Sequence, residues 1–442
     1  MFVFAPRTLS PSLFFHNPIL QNPKPTINLS LKSEIQIERG LEFETGESFF
    51  RRESAAGRDL GVLAASLYRK SKGKLRVLDG LCGCGIRSLR YLVEAEADFV
   101  LANDANDENR GVICRNLAQV PRGFGDERRW TVTNFEANRV MTECYLQRDF
   151  FDLIDVDSFG SDSSFLRSAM NALRLGGLLY VTSTDGFSSG GHRPYHSLAA
   201  YGAYIQPMPY SNEIGLRMLI GGAVREASVL GYRVAPLFSY YSYHGPVFRV
   251  MLRVNRGKLP DNRNYGFISY CHQCGNSQAF SWDELGQISC PCSGSKSVIV
   301  SGPLWTGPLH EASYLTEMLN LAGAWGWAGK DTGTETDTGK LLKQMLDESD
   351  PRLPFGFIKL DEVASRAKIN SPPLRIVMET IQKENKPREK ISLVREMVAQ
   401  EGYAVSRSHI CSNAIKTDCP MTECIRIAKE LQQCDSAAAV NL

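Results

Sequence analysis

From about Glu34 to Asn255 the chain alternates short apolar runs with longer amphipathic stretches. Leu75–Asp79, Phe99–Asp104, Phe151–Asp157 and Leu178–Thr182 read as buried strands, with helical segments between them. Each strand ends in a polar or Gly-rich turn, a pattern that predicts an α/β fold with a doubly wound parallel sheet and its ligand at the carboxyl ends of the strands. After Asn255 the texture changes. Two Cys pairs come first, then a Gly/Trp-rich segment, then the low-complexity run Asp331-Thr-Gly-Thr-Glu-Thr-Asp-Thr-Gly339. That run has nothing to bury, so 331–340 is expected to be a flexible surface loop. Leu360–Ala367 and Pro372–Gln382 then predict two helices with a turn between, ahead of a β-rich Gly402–Lys416. The order suits a helix-turn-helix with a β wing, and equally a generic α+β packing unit. The expected division is therefore 34–255 and 256–442.

Composition narrows the class. With 442 residues the chain is long enough for two or three domains, and 50 Lys plus Arg against 48 Asp plus Glu leave a net charge of only +2. A purely electrostatic nucleic-acid binder is excluded, and any RNA contact must come from local patches. No stretch approaches the ~20 apolar residues of a membrane-spanning helix, and no membrane partner is expected. Twelve Cys are too dilute for a secreted disulfide scaffold and fit a reducing compartment with one metal site. Residues 1–33 contain no Asp or Glu, carry Arg7, Lys24 and Lys32, and include five Pro. This reads as an organellar transit peptide, plastid before mitochondrion from its Ser/Pro character; an ordinary disordered tail is the alternative.

The first chemical signal is Leu75-Arg-Val-Leu-Asp79 running into Gly80-Leu-Cys-Gly83-Cys-Gly85-Ile-Arg87. A strand, a glycine turn and a helix start let the backbone approach an adenosyl ligand closely. The next strand ends in Asn103-Asp104, a carboxylate where ribose hydroxyls need an acceptor, and Glu136-Ala137 offers an acid and a small residue beside an adenine ring. No Walker Lys-Ser/Thr follows the glycines, so phosphate binding is disfavoured. The fourth strand carries the second signal, Asp155-Val-Asp157-Ser158-Phe159-Gly160, similar to the Asp-Pro-Pro-Tyr motif of amino-group methyltransferases. An exocyclic amine on a purine is a poor nucleophile because its lone pair is delocalised. A carboxylate accepting its N–H bonds localises that pair, while an aromatic face aims the base. Asp157 is then the acceptor and Phe159 the stacking plate, and S-adenosylmethionine is favoured over NAD. A strand-end acid capping the next helix is the plainer alternative.

Taken together these segments resemble the tRNA guanine-26 N2-dimethyltransferase family. Arg58-Asp59 after Phe49-Phe50 looks like its Asn-Arg-Asp box and aromatic pair, Asp79–Arg90 like its glycine segment, and Asp155–Ser161 like its Asp-x-Asp-Pro-Phe-Gly-Ser. Gly402–His409 and Ile415–Asp418 are similar to its C-terminal block. The resemblance implies a class I, Rossmann-like, S-adenosylmethionine-dependent methyltransferase domain plus a C-terminal α+β tRNA-binding domain, in a plant organellar-type member that methylates guanosine N2 once or twice. Arg58, Asp79, Gly83, Gly85, Arg87, Asp104, Glu136 and Ala137 are implied to hold the cofactor, with Asp157, Phe159 and Phe50 at the guanine. A catalytically impaired tRNA-binding homologue and a methyltransferase of another amino group stand as alternatives. Three departures bear on this: Ser158 stands for the family's Pro, Arg51-Arg52 for Asn-Pro, and Gly57 for the Asn of the box.

Cys271-His-Gln-Cys274 and Cys290-Pro-Cys292 give C-x2-C-x15-C-x-C, a zinc-knuckle pattern whose second half is one residue short. Four thiolates leave no open position, so a structural zinc ion is expected. Lys383, Lys386, Arg388 and Lys390, with Arg407 and Lys416 in the C-terminal block, are the expected phosphate contacts of tRNA. A monomer is expected.

Overall fold

Runs of consecutive aliphatic residues separated by helix-length connections fold into the expected parallel sheet. The computed structural model describes residues 35–121, 127–257, 263–290, 292, 298–328, 338–369 and 402–440. A hairpin of β1 (Ile35–Glu38) and β2 (Leu41–Glu44) leads into helix α1 (Ala55–Lys72). The alternation follows as β3 (Arg76–Asp79), α2 (Ile86–Val93), β4 (Phe99–Asn103), α3 (Asn109–Ala118), β5 (Trp130–Thr133), α4 (Ala137–Leu146), β6 (Phe151–Asp157), α5 (Leu166–Ala172) and β7 (Leu173–Ser183). Short helices α6 (Gly186–Ser189) and α7 (Pro194–Tyr201) and the long α8 (Ser211–Val229) precede β8 (Tyr232–Ser242) and β9 (Val247–Arg256).

One seven-stranded sheet results, in the order β5-β4-β3-β6-β7-β9-β8. The first five strands are parallel, and β9 runs antiparallel between β7 and β8. Chain order reverses between β3 and β6, which opens a crevice at their carboxyl ends. Val77, Leu78, Leu153, Ile154 and Val156 are buried, each stabilising the fold by about 1.5–3 kcal/mol relative to an exposed side chain. The expected strands all form, although β7 begins at Leu173 rather than Leu178.

Beyond β9, β10 (Tyr265–Cys271), β11 (Ser277–Phe280) and β12 (Val298–Trp305) make an antiparallel sheet in the order β11-β10-β12. Helix α9 (Ala312–Ala324) packs on α1, with the Tyr314 hydroxyl donating to the Ala64 carbonyl at 3.3 Å. At Gly221 of α8 an added Cβ would lie 3.0 Å from Leu304 Cα, so β12 rests directly on that helix. Helix α10 (Thr338–Asp347) corrects the loop expected over 331–340: residues 338–340 are its first turn, and 331–337 lie outside the described residues. The C-terminal sheet combines β13 (Ile358–Lys359), β14 (Val405–Arg407) and β15 (Ala414–Thr417) in the order β13-β15-β14. It is flanked by α11 (Leu360–Ala367) and α12 (Met421–Val440), so the helix at 360–367 and the β-rich block are where the pattern puts them. The expected helix at 372–382, the cluster Lys383 to Lys390 and the segment 1–33 lie outside the described residues. Among the described residues no helix is long and apolar enough to cross a membrane.

The C-terminal sheet is fastened to α8 by buried charge. Lys416 Nζ lies 2.6 Å from Glu213 Oε2, Arg217 Nη2 lies 2.8 Å from Glu213 Oε1, and the Gly356 N–H donates to the same carboxylate at 2.7 Å. Lys416 is 3% exposed, which corrects its expected place at an RNA phosphate: its charge is committed inside the protein. Arg407, on β14, is half-buried. Burial opposes ionisation of Glu213, but Lys416 and Arg217 outweigh it and hold the carboxyl down to about 2 from its ordinary 4.5. Stability drawn from this carboxylate is full above about 4.5 and is lost as pH falls towards 2. Lys416→Met should leave Glu213 with Arg217 alone to offset its charge and lower unfolding stability at neutral pH, by up to about 3–5 kcal/mol. Denaturant titration at pH 7 and pH 3 checks both statements, since the gap between wild type and variant should narrow at the lower pH.

Candidate active site

The crevice at the carboxyl ends of β3, β4 and β6 is assembled by backbone bonds from three loops. Gly80 N donates to Asp155 O at 2.9 Å, Cys82 N to Asn103 O at 2.9 Å, and Gly85 N to Cys82 O at 2.8 Å. Gly83 and Gly85 have φ of +58° and +83°, left-handed values that favour glycine. A Cβ on Gly85 would press on Ile113 Cγ2 at 3.2 Å, whereas one on Gly83 would meet open space. The turn is therefore tight beneath and free above. Asp104 supports it, one oxygen accepting from Gly83 N at 2.9 Å and the other from Asn106 N and Asn109 Nδ2, both at 3.0 Å. Asn103, which pattern reading passed over, donates to Gly80 O and Phe135 O and accepts from Phe135 N, joining the β3, β4 and β5 loops. Glu136 sits exposed on the same edge as the N-cap of α4, accepting from Arg139 N at 3.0 Å, and Ala137 beside it is buried. Burial keeps the Cys82 and Cys84 thiols protonated, which suits small fillers of the turn.

Two expected cofactor arginines are paired with carboxylates of the protein itself. Arg58 pairs with Glu38 through its Nε and Nη2, in a buried network where Asp59 joins Arg39, Arg90 and Thr338. Here the Arg-Asp box ties the β1–β2 hairpin, α1, α2 and α10 together. Arg87 spans the floor of the crevice, with Nη1 2.9 Å from Asp155 Oδ2 and Nη2 2.6 Å from Asp157 Oδ2. Both pairings share one cause: a guanidinium this deeply buried needs a carboxylate partner, and each finds one within the protein.

Asp157 ends β6 with 27% of its side chain exposed, while Asp79 and Asp155 below it are fully buried. Burial opposes its charge, but Arg87 first and Arg249 second hold its carboxyl at about 2, so it is ionised. Burial and the Asp155 carboxylate raise Asp79, which shares hydrogen with Ser88 Oγ at 2.7 Å. Arg249 reaches within 3.5 Å of Asp157 Oδ1 from β9. Among the described residues its Nε and Nη1 find no hydrogen-bond partner. A charge inside the apolar run Val247–Val250 was the available signal. A Cβ at position 57 would lie 2.9 Å from Arg249 Cδ, so Gly57 provides the space that this arginine fills.

Above Asp157, Phe159 is 74% exposed and meets Phe49, 62% exposed, edge to face at 5.2 Å. This corrects the aromatic assignment: Phe50 turns inward against Phe43 at 5.1 Å and beneath Arg58, and Phe49 is the ring at the mouth. The Arg51 guanidinium lies over Phe49 and donates to His244 O at 2.7 Å. Ser158, in place of the rigid Pro, is 5% exposed and donates from Oγ to Thr182 O at 3.0 Å, which pins the loop to β7.

The four cysteines converge at the end of β10. One Sγ from each of Cys271, Cys274, Cys290 and Cys292 lies within 4.8 Å of the others, with Cys271–Cys292 at 3.6 Å and Cys274–Cys290 at 3.3 Å. Tetrahedral zinc with Zn–S of about 2.3 Å separates its sulfurs by about 3.8 Å, so this donor set fits such an ion, short second knuckle included.

The family model described as TRM: N2,N2-dimethylguanosine tRNA methyltransferase matches residues 32–429. A tRNA (guanine(26)-N(2))-dimethyltransferase of Methanothermobacter thermautotrophicus is 30% identical over 382 residues, 85% of this chain and 90% of the relative. One of the same name from Aeropyrum pernix is 29% identical over 395 residues, 87% and 90% of the two chains. A solved structure of Trm1 from Pyrococcus horikoshii in complex with S-adenosyl-L-methionine superimposes with a TM-score of 0.71 at 24% identity, covering 89% of this chain and 99% of that one, and so shares its fold. Since the family pattern runs unbroken through the glycine turn, the Asp157 edge and the C-terminal sheet, the chain belongs to the N2,N2-dimethylguanosine tRNA methyltransferases.

Proposed function

We propose that this protein methylates the exocyclic N2 of a guanosine in tRNA, using S-adenosylmethionine, and that the guanosine is at position 26, as in the names of its relatives. The observation that carries the reading is Asp157 at the switch point of the sheet, paired with Arg87 and Arg249 and two residues before Phe159, whose exposed ring meets that of Phe49. An amine conjugated to a purine attacks only when its N–H bonds are drawn out of the ring's delocalisation, which an acceptor-only carboxylate does. The two rings touch edge to face, so an incoming guanine parts them and stacks on Phe159. S-adenosylmethionine, when bound, supplies an electrophilic methyl group. Gly83, Asp104, Glu136 and Ala137 are residues that would hold it, and the open space over Gly83 would let a ligand come close to the backbone. Arg249, whose Nε and Nη1 have no hydrogen-bond partner among the described residues, offers donors to an acceptor atom on the bound base or cofactor. Ser158 favours activity over a binding-only role, because its hydrogen bond supplies the loop restraint that a proline ring would impose. The acid-free first 33 residues support a plastid location, with the mitochondrion second. Zinc at the four cysteines is structural in this reading.

Asp157→Asn should lower kcat for methyl transfer by about 10²–10⁴, with cofactor affinity close to wild type and the protein still folded. Arg87 keeps Asp155 as its partner, so the fold should survive. Single-turnover transfer to transcript tRNA, with calorimetry for the cofactor, makes the measurement, and a wild-type rate would overturn the mechanism. For the metal, elemental analysis should find about one zinc per chain, and Cys274→Ser should lose it with a fall in Tm. Zinc content unchanged in that variant would remove Cys274 from the ligand set.

A further inference from the structure

The carboxyl edge of the sheet exposes more aromatic surface than a single guanine can cover. Besides Phe49 and Phe159, Phe187 is 60% exposed and Tyr243 is 78% exposed. Exposed rings gathered in one place mark a contact surface rather than scattered surface residues.

Backbone and side-chain contacts join these rings into one rim. The loop after β6 is tied to the loop after β7 by Thr184 N to Gly160 O at 2.8 Å, Gly160 N to Thr184 Oγ1 at 2.6 Å and Ser183 Oγ to Gly160 O at 2.9 Å. Helix α6, which carries Phe187, begins at once. Asp185 caps it by accepting from Ser188 N at 3.0 Å. Its Gly186 lies against the β8–β9 turn so closely that a Cβ would be 2.6 Å from Pro246. That turn carries Tyr243 and His244, and Arg51 closes the circuit from His244 O back to Phe49. Two arginines back the rings: Arg51 stands 5.3 Å from the centre of Phe49, and Arg193 stands 4.8 Å from that of Phe187.

We propose that Phe187 and Tyr243, with Arg193 and Arg51, form a platform for the unstacked nucleotides that flank the target guanosine. The inference rests on the methyltransferase reading and adds how the RNA around the target is held. A base inside an RNA stack cannot be reached until it is drawn out, and its neighbours then lose a stacking partner. An aromatic face replaces that partner whatever the base, and a guanidinium over the ring adds phosphate and cation–π attraction. The rim is continuous with the crevice and carries positive charge beside Phe49 and Phe187, which favours a polyanionic strand over an apolar protein partner. Packing of α6 against the β8–β9 turn makes the platform rigid before RNA arrives.

The test uses the full chain and a tRNA transcript bearing 4-thiouridine next to the target guanosine. Photo-crosslinking should join the thiouridine to the peptide of Phe187 or of Tyr243. Phe187→Ala and Tyr243→Ala should each lower kcat/KM for tRNA by about tenfold and weaken the crosslink, while cofactor affinity stays at the wild-type value. Phe187→Trp should keep both. Ala variants with wild-type kcat/KM, or crosslinks that fall only elsewhere, would overturn the platform. A wild-type protein that crosslinks at the rim yet transfers no methyl group would support the platform and overturn the proposed function instead.

Discussion

Everything at the carboxyl edge depends on how three acids are kept together away from water. Asp79, Asp155 and Asp157 converge on the ends of two neighbouring strands, and Arg87 is placed between the last two. Without it, two carboxylates on alternate residues of one buried strand would repel and be driven to protonate. With it, the charge is divided unequally. Asp157 is held ionised by two guanidiniums, while burial raises Asp79 and Asp155, helped by the Asp155 carboxylate in the first case and by Asp157 in the second. Arg87 and Arg249 therefore keep the upper acid an acceptor, while Asp155 stays beneath it against Arg87 and the Tyr91 hydroxyl.

The same rule explains how the chain's later half is attached. Asp59 is reached by Arg39 from the hairpin, Arg90 from α2 and Thr338 from α10, and Glu213 by Lys416 from β15. Breaking such a pair leaves an uncompensated buried charge, whereas apolar contact alone would let the surfaces slide. Elements more than 200 residues apart in sequence are thereby held in one geometry around the site.

What could be read from sequence was local. The strands, the glycine turn, the acid that ends β6 and the cysteine spacing each sit within a few consecutive residues, where period, chirality and ligand chemistry act directly. What could not be read depends on which distant side chain arrives. Phe49 and Phe50 are adjacent and chemically identical, and only the packing of Phe43 decides which one turns inward. Lys416 has the composition of a phosphate contact, but Glu213 lies opposite it in space. Arg58 and Arg87 each have a buried carboxylate partner that only the folded chain reveals. Gly57 becomes intelligible only beside Arg249, a residue from the strand that enters the sheet last.

The strength with which Arg87 and Arg249 hold Asp157 bears on the chemistry it can perform. A carboxyl that titrates near 2 is a weak base, so it cannot take a proton from a neutral amine before attack. It can accept hydrogen bonds from that amine, and these strengthen as nitrogen loses electron density to the incoming methyl group. Once the bond has formed, nitrogen carries positive charge, its proton becomes strongly acidic, and even a weak base suffices to receive it. The arginines thus give up basicity that the first half of the step does not need. In return, on the proposed reading, the acceptor stays charged at neutral pH and is held in place by the two guanidiniums before a base enters.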